Sequence, residues 1–435
     1  MTFSYILIIH LFHFIFSRII IPFEKENKEI NSLKDIMNDV FKCKIELGNP
    51  SQFLYLSLNF YYHGFLITSK SLNNFSFDEL KSTSISIESS YKSEHIDNKL
   101  NTYSLNSMDE FKLLTEEGTK TNNNIYFNLV KNSTDNKTLS SGLIGLKIIS
   151  MLIYKEENFI YQLKQLNSIK NLVFFLNFND EKNKGLFLGN YPDEYDKNFD
   201  EKDFYYTKAL SDEMSVVWEL FFDEVKYGKN KYNNKYFKFN LLINGIIGPN
   251  NYKEYLKNNY FNIFLSNNDC KEENFPNFNS NYSGFYCNDN INLKDNFETL
   301  YLYHKELNYT FELKYEDLFK LHNNKIYFLI FFNEKNEDWT LGEIFLKKYL
   351  FIFDMDRKTL GIYNKNNYLN RKINNNNINN LLIFKIFICI LILCILVLLF
   401  LIRKYKLKKK LRKNQMIDDN YLYKSKNENN YNILN

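Results

Sequence analysis

Side chains able to do chemistry are few and scattered in this 435-residue sequence. Of its six His, His10 and His13 lie in an apolar N-terminal run, while His63, His95, His304 and His322 stand far apart. Zinc sites need Cys or His at short fixed spacings, and neither H-E-x-x-H nor C-x-x-C occurs. Nor is there a G-x-S-x-G elbow, a Walker loop or a G-x-G-x-x-G turn. No metal and no cofactor is therefore expected. Among the five Cys, Cys389 and Cys394 fall inside a long apolar run. Cys270 and Cys287 enclose a short loop and are expected to form a disulfide. Cys43 is left over beside Lys42 and Lys44: an activated thiolate is one reading, a buried inert thiol the better one.

The chain holds 41 Phe and 33 Tyr against 13 Gly and 5 Pro, and about one residue in seven is Asn. Phe, Tyr, Asn, Lys and Ile share A/T-rich codons, so the skew reads as genomic bias. Where Gly and Pro survive such a bias, the backbone needs them. They mark a series of motifs: I-E-L-G-N-P-S-Q (45–52), S-G-L-I-G-L (141–146), V-F-F-L (173–176) with G-L-F-L-G (185–189), and W-E-L-F-F-D-E-V-K-Y-G (218–228). Two more follow, I-I-G-P (246–249) and W-T-L-G-E-I-F-L (339–346), the last running into Y-L-F-I-F-D (349–354) and L-G-I (360–362).

The elements carrying these motifs read mostly as strands. Short β-branched or aromatic runs are bounded by Asn, Asp, Gly or Lys clusters. Helical periods are confined to 158–169, 251–258 and a turn at 343–348. No repeat array is visible.

In order and spacing, the motifs resemble the pepsin-type aspartic proteases over residues 41–363. That family reads I-G-T-P-x-Q-x-F, D-G-I-L-G-L-G, F-S-x-x-L, G-x-L-x-F-G-G, W-x-x-x-x-D-x-V-x-x-G, S-L-L-x-G-P and W-I-L-G-D-x-F-L, ending in a Y-Y-x-x-F-D strand and I-G. Nine of the 13 Gly occupy the family's Gly positions. The resemblance implies a mostly β, bilobal pepsin-like fold, with a peptide cleft between lobes and one catalytic Asp per lobe. It also places Cys287 ahead of a family strand, expected at 292–297.

Both catalytic positions depart from the family. Counted without gaps from Gly48-Asn49-Pro50, the first Asp of a D-T-G-[ST] falls on Asn59. Counted back from Gly248-Pro249, the second falls on Asn240. Both T-G pairs are gone, with Phe60-Tyr61 and Leu241-Leu242 in their places. The family's chemistry needs two carboxylates in contact sharing one proton, one acting as base and the other as acid. An amide cannot exchange that proton, although it keeps an acceptor and adds two donors. The nearest Asp residues are Asp78 and Asp223, and Asp223 matches a structural position on another strand. The flap, expected between residues 89 and 128, has no Y-G-T-G, and Tyr103 is its only candidate remnant.

Topology follows from two apolar runs. Residues 6–16 suit a signal-peptide core, with 1–17 cleaved or, alternatively, kept as an anchor. Residues 381–402 are long enough to span a bilayer, and 403–413 then carry eight basic residues in eleven. The expected organisation is an N-terminal segment (18–40), two lobes (41–200 and 201–363), an Asn-rich linker (364–380), a transmembrane helix (381–402) and a basic tail (403–435). The positive-inside rule puts the tail in the cytosol, giving a type I protein of the secretory pathway or cell surface. Sequons at Asn74, Asn132, Asn136, Asn281 and Asn308 suit a lumenal body. Net charge is +4 overall, but the tail supplies +7, so the body lacks the basic excess that nucleic-acid binding needs.

The leading expectation is a membrane-anchored pseudoprotease that binds a peptide or protein over a cleft floor of Asn59, Tyr61, Asn240 and Asn244. The alternatives are an active lumenal endopeptidase and a structural or adhesion protein whose cleft is filled by Phe60 and Leu241.

Overall fold

The computed structural model describes residues 19–26, 29–72, 76–97, 100–114, 120–134, 141–149, 157–178, 183–195, 199–211, 215–277, 280–333, 338–363, 395–397, 399–406 and 408–409. The expected signal peptide and Asn-rich linker lie outside them. The chain divides into two units, Met1–Asn364 and Lys365–Asn435.

The first unit is mostly β and bilobal. Its first lobe opens with β1 (Ile19–Lys25), α1 (Leu33–Asn38), β2 (Phe41–Leu47) and β3 (Gln52–Asn59). β4 (Phe65–Thr68), a long pair β5 (Ser86–Asp97) and β6 (Leu100–Leu114), β7 (Lys120–Ser133), β8 (Gly142–Gly145) and α2 (Phe159–Gln165) complete it. Asn158 caps α2, its side chain accepting from Tyr161 N.

β9 (Val173–Asn177) and β10 (Gly185–Leu188) then lead into the second lobe. That lobe is built on β11 (Glu219–Tyr227), β12 (Asn230–Phe239), β13 (Ile246–Gly248), β14 (Ile330–Asn333), β15 (Trp339–Leu341), α3 (Glu343–Lys348), β16 (Phe351–Asp354) and β17 (Thr359–Tyr363). Among the described residues the strands form a 13-stranded and an 11-stranded sheet, with a small 3-stranded one beside them. The larger sheet joins the lobes, because β9 pairs with β16 and β10 with β1. Every residue of β10 and β16 is buried, Asp354 at the end of β16 included.

Cys270 and Cys287 pair directly across a hairpin and are disulfide-bonded. Cys43 is fully buried in the core, and burial pushes its thiol far above the ordinary range, as the inert-thiol reading requires. Two expectations are corrected. Residues 292–297 are not a strand: Asn292 turns the chain by accepting from Lys294 N and donating to Asp295, and the strand begins at Leu300. The hairpin where a flap was sought is also present, as β5 paired with β6, although it lacks the family's glycines.

Of the expected span, residues 381–394 and 398 lie outside the described residues, and 395–397 and 399–402 are helical. No described helix is long and apolar enough to cross a membrane.

Candidate functional site

Two loops repeat one construction. In the first lobe, β3 ends at Asn59, the chain loops to Gly64 and returns as β4, and β8 lies parallel to β3 with Asn59 opposite Gly145. In the second, β12 ends at Phe239, the chain loops from Asn240 to Gly245 and returns as β13, and β15 lies parallel to β12. Main-chain bonds close both junctions, Leu146 N to Asn59 O at 2.8 Å and Asn240 N to Leu341 O at 2.9 Å. The loops are equally long, and each is crossed by a glycine. A Cβ on Gly145 would lie 2.5 Å from Tyr62 O, and one on Gly342 would strike the Gly245 and Ile243 carbonyls. Backbone approaches backbone at both places, which only glycine permits.

Each loop is pinned by the amide at its start. Asn59 is buried, and its Oδ1 accepts from Tyr61 N at 2.7 Å and Tyr62 N at 3.1 Å. Asn240 Oδ1 accepts from Leu242 N at 2.9 Å. With each oxygen accepting from its own loop, the group left over on each side chain is an NH2, which can only donate. A carboxylate there would present a second oxygen able to share a proton.

The next residue turns into the core. Phe60 is 1% exposed, with its ring centroid 4.9 Å from Phe353, 5.7 Å from Phe239 and 6.3 Å from Phe174. Phe239 immediately precedes Asn240, so the two loops meet through these rings. Leu241 is buried in the same core cluster.

A family model for eukaryotic aspartyl proteases matches residues 76–365. The chain belongs to that family. No curated protein matches it. The match includes the Asn240 loop and β15 but begins beyond Asn59, so the likeness of the first loop rests on its repeated geometry.

Other residues of this aspartyl protease relative differ in their placement. Tyr61 is half-buried; its hydroxyl has no hydrogen-bond partner, and burial, aided by the charge of Glu219, holds it well above the ordinary phenol range. Asn244, expected on a cleft floor, is committed elsewhere. It is 2% exposed, its amide donates to Ile36 O at 3.3 Å, and its main-chain N bonds Met37 O at 2.8 Å. Those bonds tie α1 to the second lobe, where Leu33, Ile36 and Met37 share a core with Ile243 and Phe331.

Glu219 was not foreseen. It opens β11 opposite Lys238, and burial raises its carboxyl above the usual range while Lys238 opposes and Asp338 adds to the rise. Its signal was the strand period alone, since Trp218 is core and its neighbour must face the other way. Glu343 was likewise passed over. It is 1% exposed, accepts from Phe41 N at 2.6 Å and pairs with Lys347. Asp223 accepts from Lys305 N, and Tyr103 stands exposed on β6 opposite Ser93. Among the described residues no three His, Cys, Asp or Glu side chains group to hold a metal.

Proposed function

We propose that this aspartyl protease relative is a pseudoprotease, with Asn59 and Asn240 in the places of the catalytic aspartates. The observation that carries the reading is the paired amide geometry: each Oδ1 is spent on its own loop, so the group left over is an NH2 donor. Water activation needs a base, and an amide nitrogen supplies none. Two such donors do suit a peptide carbonyl, so the cleft binds an extended peptide or protein segment without cutting it. Anchoring by a single span with a cytosolic tail, in the secretory pathway or at the cell surface, is part of the proposal. It is supported by the apolar run 381–402 and the eight basic residues that follow.

The test is cleavage of an unfolded protein substrate by the purified chain between about pH 3 and pH 7, with and without a statine-type transition-state analogue. No cleavage is expected from a sample shown to be folded. Cleavage that the analogue blocks would overturn the proposal and make Glu219 the first carboxyl to substitute.

A further inference from the structure

A second depression lies in the first lobe, between the sheet formed by β5, β6 and β7 and the helix α2. It encloses about 530 Å³, within the range of small-molecule sites. None of Asn59, Tyr61 or Asn240 lines it.

Its floor is a sheet face. The alternation along β7 puts Asn124, Tyr126 and Asn128 on one side, and the register sets Asn106 of β6 opposite Asn128. Helix α2 supplies the wall with Gln162, Gln165 and Leu166. Gln162 is 4% exposed and grips both main-chain groups of Tyr126, donating to its O at 2.9 Å and accepting from its N at 2.8 Å. The main chain of Tyr126 is thus fixed while its ring is 54% exposed. An aromatic side chain held open on a rigid strand is a contact surface in waiting.

The charges around it are partly committed. Glu88 accepts from the Asn106 amide at 3.0 Å. Glu157 is paired with Lys92 and lies 3.6 Å from His63 Nε2. The depression therefore offers amides, an open ring and one carboxylate, Glu88, whose remaining lone pairs also accept from hydroxyls. A basic peptide would ask for several free carboxylates, and Glu157 is already paired. A neutral, polyhydroxylated ring asks for planar amides, which donate and accept at once, and for an aromatic face beneath its C–H groups.

We propose that this depression is a saccharide-binding site, with Tyr126 as the stacking surface and Asn106, Asn124 and Gln165 as partners for sugar hydroxyls. The site is independent of the inter-lobe cleft and stands whether or not the pseudoprotease reading does.

Saturation-transfer NMR on the full-length protein tests it, with the methyl glycosides of glucose, galactose, mannose and N-acetylglucosamine as separate probes at millimolar concentration. Transfer to the ring protons of at least one glycoside is expected. Tyr126→Ala should abolish it or weaken binding by about tenfold or more, and Tyr126→Phe should keep most of it. Asn124→Ala should weaken it without touching the fold. The Gln162 grip uses only main-chain atoms of Tyr126, so Tyr126→Ala should melt with the parent, and that melt is the folding control. Absence of transfer to all four probes, or transfer that survives Tyr126→Ala, would overturn the assignment. Binding of a lysine-rich peptide that Tyr126→Ala removes would overturn the ligand class.

Discussion

The contact that most directly replaces the family's loop chemistry is Phe60, and truncating it tests how the two lobes are held. Phe60 is 1% exposed among Phe353, Phe239 and Phe174. Phe→Ala in a packed core costs about 3–5 kcal/mol, the surrounding rings relaxing only partly into the space left. For one cooperative unit spanning Met1–Asn364, an unfolding entropy of ~2.1 cal/mol/K per residue gives about 0.7 kcal/mol/K in all. A loss of about 4 kcal/mol then lowers Tm by roughly 5 °C. Restoring the residue type the family carries should do no better. Phe60→Thr leaves nearly the same void and adds a hydroxyl among aromatic rings, where an unpaired hydroxyl costs about 1–3 kcal/mol. Phe60→Leu keeps most of the volume and should fall well short of the Ala loss. Differential scanning calorimetry on the four proteins reads the order: parent, Leu, Ala, with Thr at or below Ala. A Thr variant as stable as the parent would refute the reasoning, because it would mean a polar grip is still available to that loop.

Four further outcomes follow from the packing and charges. The double change Asn59→Asp with Asn240→Asp should yield no cleavage of an unfolded substrate at any pH from about 3 to 7, because Phe60, Tyr61, Leu241 and Leu242 still occupy the loop positions after the acids. Burial pushes the Asp39 carboxyl up, but Lys25 and Lys320, with Nζ at 2.6 Å and 2.9 Å, outweigh it and hold it below the usual range. Its stabilisation is therefore present above the unfolded-chain value, near pH 4, and fades as pH falls through the lower folded value. Asp39→Asn should accordingly melt below the parent at pH 7 and converge with it in acid. Finally, the Cys270–Cys287 bridge closes a separation of 17 residues, so its removal should cost about 3 kcal/mol. Cys43 should meanwhile resist thiol reagents until the chain is denatured, as quantitative labelling with and without denaturant would show.

What the sequence disclosed was local. Gly145 and Gly342 stood out because the codon bias leaves glycine only where a backbone crossing demands it, and the crossings are there. The Cys pair was legible because a short loop allows a direct cross-strand bridge. The turn at 343–348 was legible because it follows such a glycine. What was hidden depended on distant partners. Asn244 looks like any loop Asn until Ile36, 208 residues earlier, takes its amide. The β5–β6 hairpin carries no glycine signal, and β6 is held by long pairings on both sides, with β5 and with β7. The 292–297 stretch was misread because an Asn turn, not apolar content, decides its path.

The two loops suit the proposed loss of chemistry within a retained architecture. The side chain at the head of each loop has two separable tasks: to accept hydrogen bonds from its own loop, and to hold a transferable proton. Asparagine performs the first and not the second, and both lobes have it. An aliphatic replacement would have left the N–H groups of Tyr61, Tyr62 and Leu242 to find other partners, at a cost comparable to a lost hydrogen bond each. Two facing carboxylates must share a proton to coexist, and their geometry then follows pH. Two amides carry no such requirement, so the loops should keep one shape from acid to neutral pH. The aromatic packing of Phe60 is equally indifferent to protons. Under the proposed binding role, the two amides serve as uncharged donors from acid to neutral pH, since neither titrates there.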